Sequence, residues 1–189
     1  MLLYHYSKEL YPRLETKEYR GEKIENYKPA SDLDKFLGNY NQHISFFIDP
    51  IPTSIMGKIY GKEHHIWFPG NTLYQYEIDS TTIGNFRYYI VETPEKLKLL
   101  YDDSLTDEEY YTKYHKVIKD HLLIGSGNNL LERAVKPYIG KTRSAIENVN
   151  KVPNWDSNKN KYAAAVTHVM IYPDSGIINY INYDKVRIK

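Results

Sequence analysis

His5 and Ser7 stand two apart in the run Leu2-Leu3-Tyr4-His5-Tyr6-Ser7. On a strand, residues two apart point to one face. An imidazole and a hydroxyl side by side can hydrogen-bond a ribose hydroxyl and an amide together. The plain alternative is a strand-end histidine satisfied by backbone. Arg13, Arg20 and Arg143 are candidate anion clamps, because a planar guanidinium suits pyrophosphate; otherwise they are solvated surface. Asp174, Asn179 and Glu92 fall near expected strand ends, where each is either a polar group at a site or a turn or cap residue. His43, His64, His65 and His168 match no metal-ligand spacing, and the adjacent pair would face opposite sides of a strand, so no metal is expected.

Other chemistries find little support. The chain has no cysteine, which removes disulfides, thiolate metal sites and a cysteine nucleophile. It has no Gly-x-Ser-x-Gly elbow, and Gly125-Ser126-Gly127 reads as the loop after a helix end. Gly140-Lys141-Thr142 resembles the tail of a phosphate loop, but no glycine stands five residues earlier. A net charge of +1 gives no global field toward nucleic acid or an anionic membrane. No apolar run approaches the ~20 residues of a membrane span, and the first residues lack the basic flank of a signal peptide. A cytoplasmic location is therefore expected. Tyrosine is 20 residues against 5 phenylalanines. An AT-rich genome or a stacking-rich surface would each produce that, and composition does not choose.

The elements that must position these groups read as one domain over 1–189: β-rich 1–92, helical 93–150 and a closing β segment 151–189. Expected strands are 2–6, 43–48, 65–68, 73–78 and 86–91, with a short helix between Ser31 and Gly38. Thr93-Pro94 starts a helix. Thr106-Asp107-Glu108-Glu109 is a capping box whose helix runs to Gly125. A further helix spans Asn129 to Tyr138, and Thr142 caps a last one. After a polar loop at 154–161, strands 167–172 and 177–181 flank the turn Pro173-Asp174-Ser175-Gly176, which suits a hairpin or a tight connection. A strand at 184–188 follows, and the first and last strands are expected to pair. The fold class is α+β.

In this order, three segments together resemble the ADP-ribosyltransferase fold, including small phage-encoded and toxin-like members. Leu3-Tyr4-His5-Tyr6-Ser7 looks like the family's first motif, an apolar strand ending in His-x-Ser/Thr. His43-Ile44-Ser45-Phe46-Phe47-Ile48-Asp49-Pro50 looks like its central strand, and Val169 to Ile188 is similar to its C-terminal hairpin. The resemblance implies a split antiparallel or mixed sheet with a helical middle insertion, and NAD as substrate in a cleft between the halves. His5 and Ser7 would hold ribose and carboxamide, Phe46 or Phe47 would stack on nicotinamide, and Arg13 or Arg20 would hold pyrophosphate. Where the family has a catalytic Glu, this chain has Asn179, with Asp174 the nearest carboxylate; one of these would orient the sugar. A phage-encoded member would act in host cytoplasm on a host protein or nucleic acid, and a virion location is the other setting. Two other classes stay open: a degenerate member that binds a nucleotide or host protein, and a phage structural or accessory protein with tyrosine-rich interfaces.

Overall fold

The computed structural model describes residues 1–22, 42–53, 72–91, 109, 122–150 and 167–187. The expected strand at 65–68, the helix between Ser31 and Gly38, the helix starts at Thr93 and Thr106, and the loop at 154–161 lie outside them.

Nine strands and two helices are described: β1 (Leu2–Ser7), β2 (Leu14–Glu15), β3 (Ile44–Phe47), β4 (Thr72–Asp79), β5 (Phe86–Val91), β6 (Leu122–Ser126), α1 (Asn128–Val135), α2 (Thr142–Asn150), β7 (His168–Pro173), β8 (Ile177–Ile178) and β9 (Asn182–Arg187). Seven strands form one sheet in the order β6-β5-β7-β3-β1-β4-β9, and β2 pairs with β8 as a separate ribbon. Every described pairing is antiparallel. A mostly antiparallel sheet with few helices makes this an α+β arrangement.

Period-two alternation builds the core. Leu3 of β1, Ile44 and Phe46 of β3, Tyr76 and Ile78 of β4, Tyr88 and Ile90 of β5, and Val169 and Ile171 of β7 belong to one buried cluster. The registers place these residues on one face: Leu3 is opposite Ile78, Phe46 opposite Val169, and Ile90 opposite Val169 from the other side. Leu131 and Val135 of α1, four apart on one helical stripe, complete the cluster, as do Leu14 and Ile178 of the ribbon.

Several sequence expectations need correction. The helix expected to run to Gly125 is instead strand at Leu122–Ser126, laddered against β5 with Gly125 opposite Tyr88. A short apolar run ending in glycine suits either state, and the ladder decided it. Gly125 is no helix stop. A Cβ built there collides with the Tyr88 ring, and Tyr88 is only 3% exposed. Gly125→Ala therefore lowers stability by about 1–3 kcal/mol through overpacking. Urea unfolding checks this, and an unchanged midpoint contradicts it. Of the hairpin and the tight connection that the Pro173–Gly176 turn allows, the chain takes the second, with Gly176 N donating to the Pro173 carbonyl at 3.0 Å. The chain leaves β7 through Gly176 at φ 74°, and β8 pairs with β2 because Ile178 and Leu14 bury together. β9 pairs with β4, so the last strand is separated from β1 by β4. Finally, Thr142 is the first residue of α2, not its cap, and its hydroxyl donates to the carboxylate that takes that place. Asp49, from the loop after β3, accepts from Gly140 N at 2.8 Å, Thr142 N at 3.3 Å and Thr142 Oγ1 at 2.7 Å. A carboxylate suits the positive end of a helix.

Candidate functional site

The sheet has a seam. β1 and β3 share one register pair, Tyr4 with Phe47, whereas β1 and β4 share six. The seam divides β6-β5-β7-β3 from β1-β4-β9. At this point the His5 side chain takes over: its Nδ1 lies 2.9 Å from the Ser45 carbonyl oxygen. A carbonyl only accepts, so Nδ1 carries the proton and, in the neutral ring, Nε2 keeps the lone pair. The ring packs between Phe46, centroids 5.8 Å apart, and Tyr76, 6.0 Å apart.

Burial among these groups pushes the His5 pKa below the usual histidine value, and the Ser45 hydrogen bond offsets this only in part. The imidazole is therefore neutral at pH 7 and able to accept. The sign for stability follows. Between the ordinary value of 6.5 and the lowered one, the unfolded chain binds the proton and the folded chain does not. His5 thus makes stability fall as pH drops below about 6.5, by at most about 1.4 kcal/mol per pH unit. Unfolding at pH 7 and pH 5 checks this: the acid loss should be smaller in His5→Asn, and equal losses contradict it.

Two rows cross the sheet on the His5 face. One runs Ile90, Val169, Phe46, His5, Tyr76 and Tyr183; the next runs Tyr88, Ile171, Ile44, Ser7, Tyr74 and Lys185. Each row is apolar as far as β3 and turns polar and aromatic from β1 to β9. Tyr180 lies tilted against Tyr76 at 5.0 Å and edge-on to Tyr183 at 5.9 Å, and Tyr74 meets Tyr183 edge-on at 6.3 Å. The Tyr76 hydroxyl accepts from Tyr11 N and donates to the Glu9 carbonyl, both at 2.8 Å, which pins the segment after β1 onto this face. Ser7 Oγ accepts from Glu9 N at 3.2 Å and keeps its own proton to donate.

The expected site residues divide. His5, Ser7 and Phe46 come together. Phe46 is wholly enclosed, and Phe47 lies on the opposite face, 5% exposed and edge-on to His168 at 4.6 Å and Tyr6 at 5.8 Å. Neither offers an open ring to a ligand. Arg13 binds Glu15 at 2.7 Å and lies 5.4 Å over the Tyr19 ring, while Arg20 binds Glu22 at 2.8 Å. Arg143 is an exposed residue of α2, near Glu147. Asp174 lines a separate cleft at the end of β7, of which His5 is not part. Asn179 is exposed just after β8. Glu92, His64 and His65 lie outside the described residues, among which no group of three or more His, Cys, Asp or Glu could hold a metal. No described helix is long and apolar enough to cross a membrane.

Sequence reasoning missed Tyr74, Tyr76, Tyr180 and Lys185. Tyr74 and Tyr76 carry a signal, being two apart in an alternating run. Lys185 does not, because its place depends on β9 pairing with β4. No family model, curated protein or solved structure matches this chain.

Proposed function

We propose that this chain is an ADP-ribosyltransferase-like protein that binds NAD on the His5 face. The observation that carries the reading is the seam: a neutral histidine, fixed at Nδ1 by the Ser45 carbonyl and sharing its face of β1 with Ser7, stands where two halves of a sheet meet. A ribose hydroxyl donates to Nε2, and the Ser7 hydroxyl donates to the carboxamide oxygen. The half-buried rings of Tyr74 and Tyr180 supply the stacking that enclosed Phe46 and Phe47 do not. Lys185, exposed and in the Ser7 row, takes the pyrophosphate in place of Arg13 and Arg20, which their own glutamates occupy.

Transfer requires that the bond from ribose C1′ to nicotinamide breaks and that an acceptor bonds C1′, with positive charge developing on the sugar between the two. The acceptor of an active phage-type member would be a host protein or nucleic acid. One observation favours a second reading, a degenerate binder: His5 has Phe46, Tyr76 and the Ser45 carbonyl around it, while Asp174 lines another cleft. Calorimetric titration with NAD, with nicotinamide release followed in the same samples, tests both. Binding with release supports the transferase, and binding without release supports the binder. Absence of binding removes NAD from the reading altogether.

A further inference from the structure

The end of β7 carries a cavity. It has a volume of about 390 Å³, and Arg87, Tyr172, Asp174, Glu18, Gln42 and Tyr19 are among its lining residues. That is the size of a small-ligand pocket. It lies away from the His5 face, since Arg87 and Tyr172 stand directly opposite each other on the other side of the β5–β7 ladder. We propose that this cleft binds a phosphorylated sugar, independently of NAD.

Arg87 supplies the phosphate contact. Its guanidinium lies 5.3 Å over the Tyr172 ring, which fixes its plane and leaves its N–H edge for a ligand. Arg13, Arg20 and Arg143 are each paired with a glutamate; among the described residues no ion pair engages Arg87. A guanidinium held flat, with its fork unoccupied, matches phosphate geometry. Asp174 and Glu18 are acceptors in the same cavity. The Asp174 backbone is tied down, its N–H donating to the Asn85 carbonyl at 3.0 Å, while its side chain is exposed. Glu18 is oriented by the Gln42 amide at 3.1 Å. Two carboxylates suit sugar hydroxyls, which donate.

This mixture narrows the ligand. A bare anion meets two carboxylates without donors to satisfy them. A metal ion meets the Arg87 charge. A stacking base finds Tyr19 and Tyr172 already covered by Arg13 and Arg87. An anion that also carries hydroxyls answers all three groups. The cleft is held in shape by Gly176, at φ 74° and bonded through its carbonyl to Thr16 N at 2.9 Å. A Cβ there would approach Tyr19 to 2.9 Å.

The test is titration of the full chain with ribose 5-phosphate, with ribose and inorganic phosphate as separate probes. Ribose 5-phosphate should bind at least about tenfold more tightly than either. Arg87→Ala and Asp174→Asn should each weaken it about tenfold or more, and His5→Asn and saturating NAD should leave it unchanged. Asp174→Asn preserves shape, and Arg87→Lys keeps the charge but loses the fork, so a folding defect in Arg87→Ala does not decide the matter. Lack of binding overturns the proposal. So does phosphate binding as well as the sugar phosphate, which would mean an adventitious anion. Displacement by NAD would place the ligand on the His5 face and overturn the separate site without touching the NAD reading.

Discussion

Phe46→Ala lowers the stability of the protein by about 3–5 kcal/mol. Phe46 is 0% exposed and sits in mid-sheet, opposite Val169 on one side and against the His5 ring at 5.8 Å on the other. Truncation removes the transfer free energy of the ring and leaves a cavity that surrounding strands cannot collapse into. Against a total of about 5–15 kcal/mol, that is a large fraction. Urea unfolding at neutral pH measures it, and a loss under about 1 kcal/mol would contradict the enclosed position. The same enclosure makes a second point. NAD affinity of the folded fraction should change little, because a buried ring cannot stack on a ligand; a folded variant that lost NAD a hundredfold would return Phe46 to the stacking role.

On the proposed NAD reading, His5→Ala should weaken NAD binding about tenfold to a hundredfold, the cost of leaving a ribose hydroxyl and its neighbours unpaired. It also opens the seam, since the bond from Nδ1 to the Ser45 carbonyl disappears with the ring. His5→Asn separates the two effects. Asparagine places an N–H near the position of Nδ1 and nothing at Nε2, so the seam bond survives and the ligand contact does not. The expected pattern is a stability close to wild type in His5→Asn with NAD binding as weak as in His5→Ala. If His5→Asn bound NAD like wild type, His5 would be a seam residue alone.

The strands of the sheet were readable where alternation is strong. Leu2–Ser7, Ile44–Phe47, Thr72–Asp79 and Phe86–Val91 follow their apolar spacing closely. His5 and Ser7 were found for the same reason, since period two fixes which residues share a face. What failed depends on partners distant in sequence. Asp49 caps a helix that begins 93 residues later. Gly125 answers to Tyr88 across a ladder, not to a helix end. The Pro173–Gly176 turn resembles a hairpin locally, yet Ile178 finds Leu14 and the chain departs. Arg13 carries a signal of its own: Glu15 is two residues on, across the bend that leads into β2, and the pair occupies itself. Arg20 and Glu22 repeat the spacing within the turn that follows. Lys185 could be placed only once β9 was known to lie beside β4.

In the proposed function, NAD lies on the face that His5, Ser7 and Tyr76 share. The most direct measurement is nuclear magnetic resonance of the histidine and tyrosine ring signals during an NAD titration. The His5 and Tyr76 rings should shift together and saturate with one affinity, and the His5 shifts should follow hydrogen bonding at Nε2. Shifts confined to Tyr19 and Tyr172, or none at all, would contradict that claim.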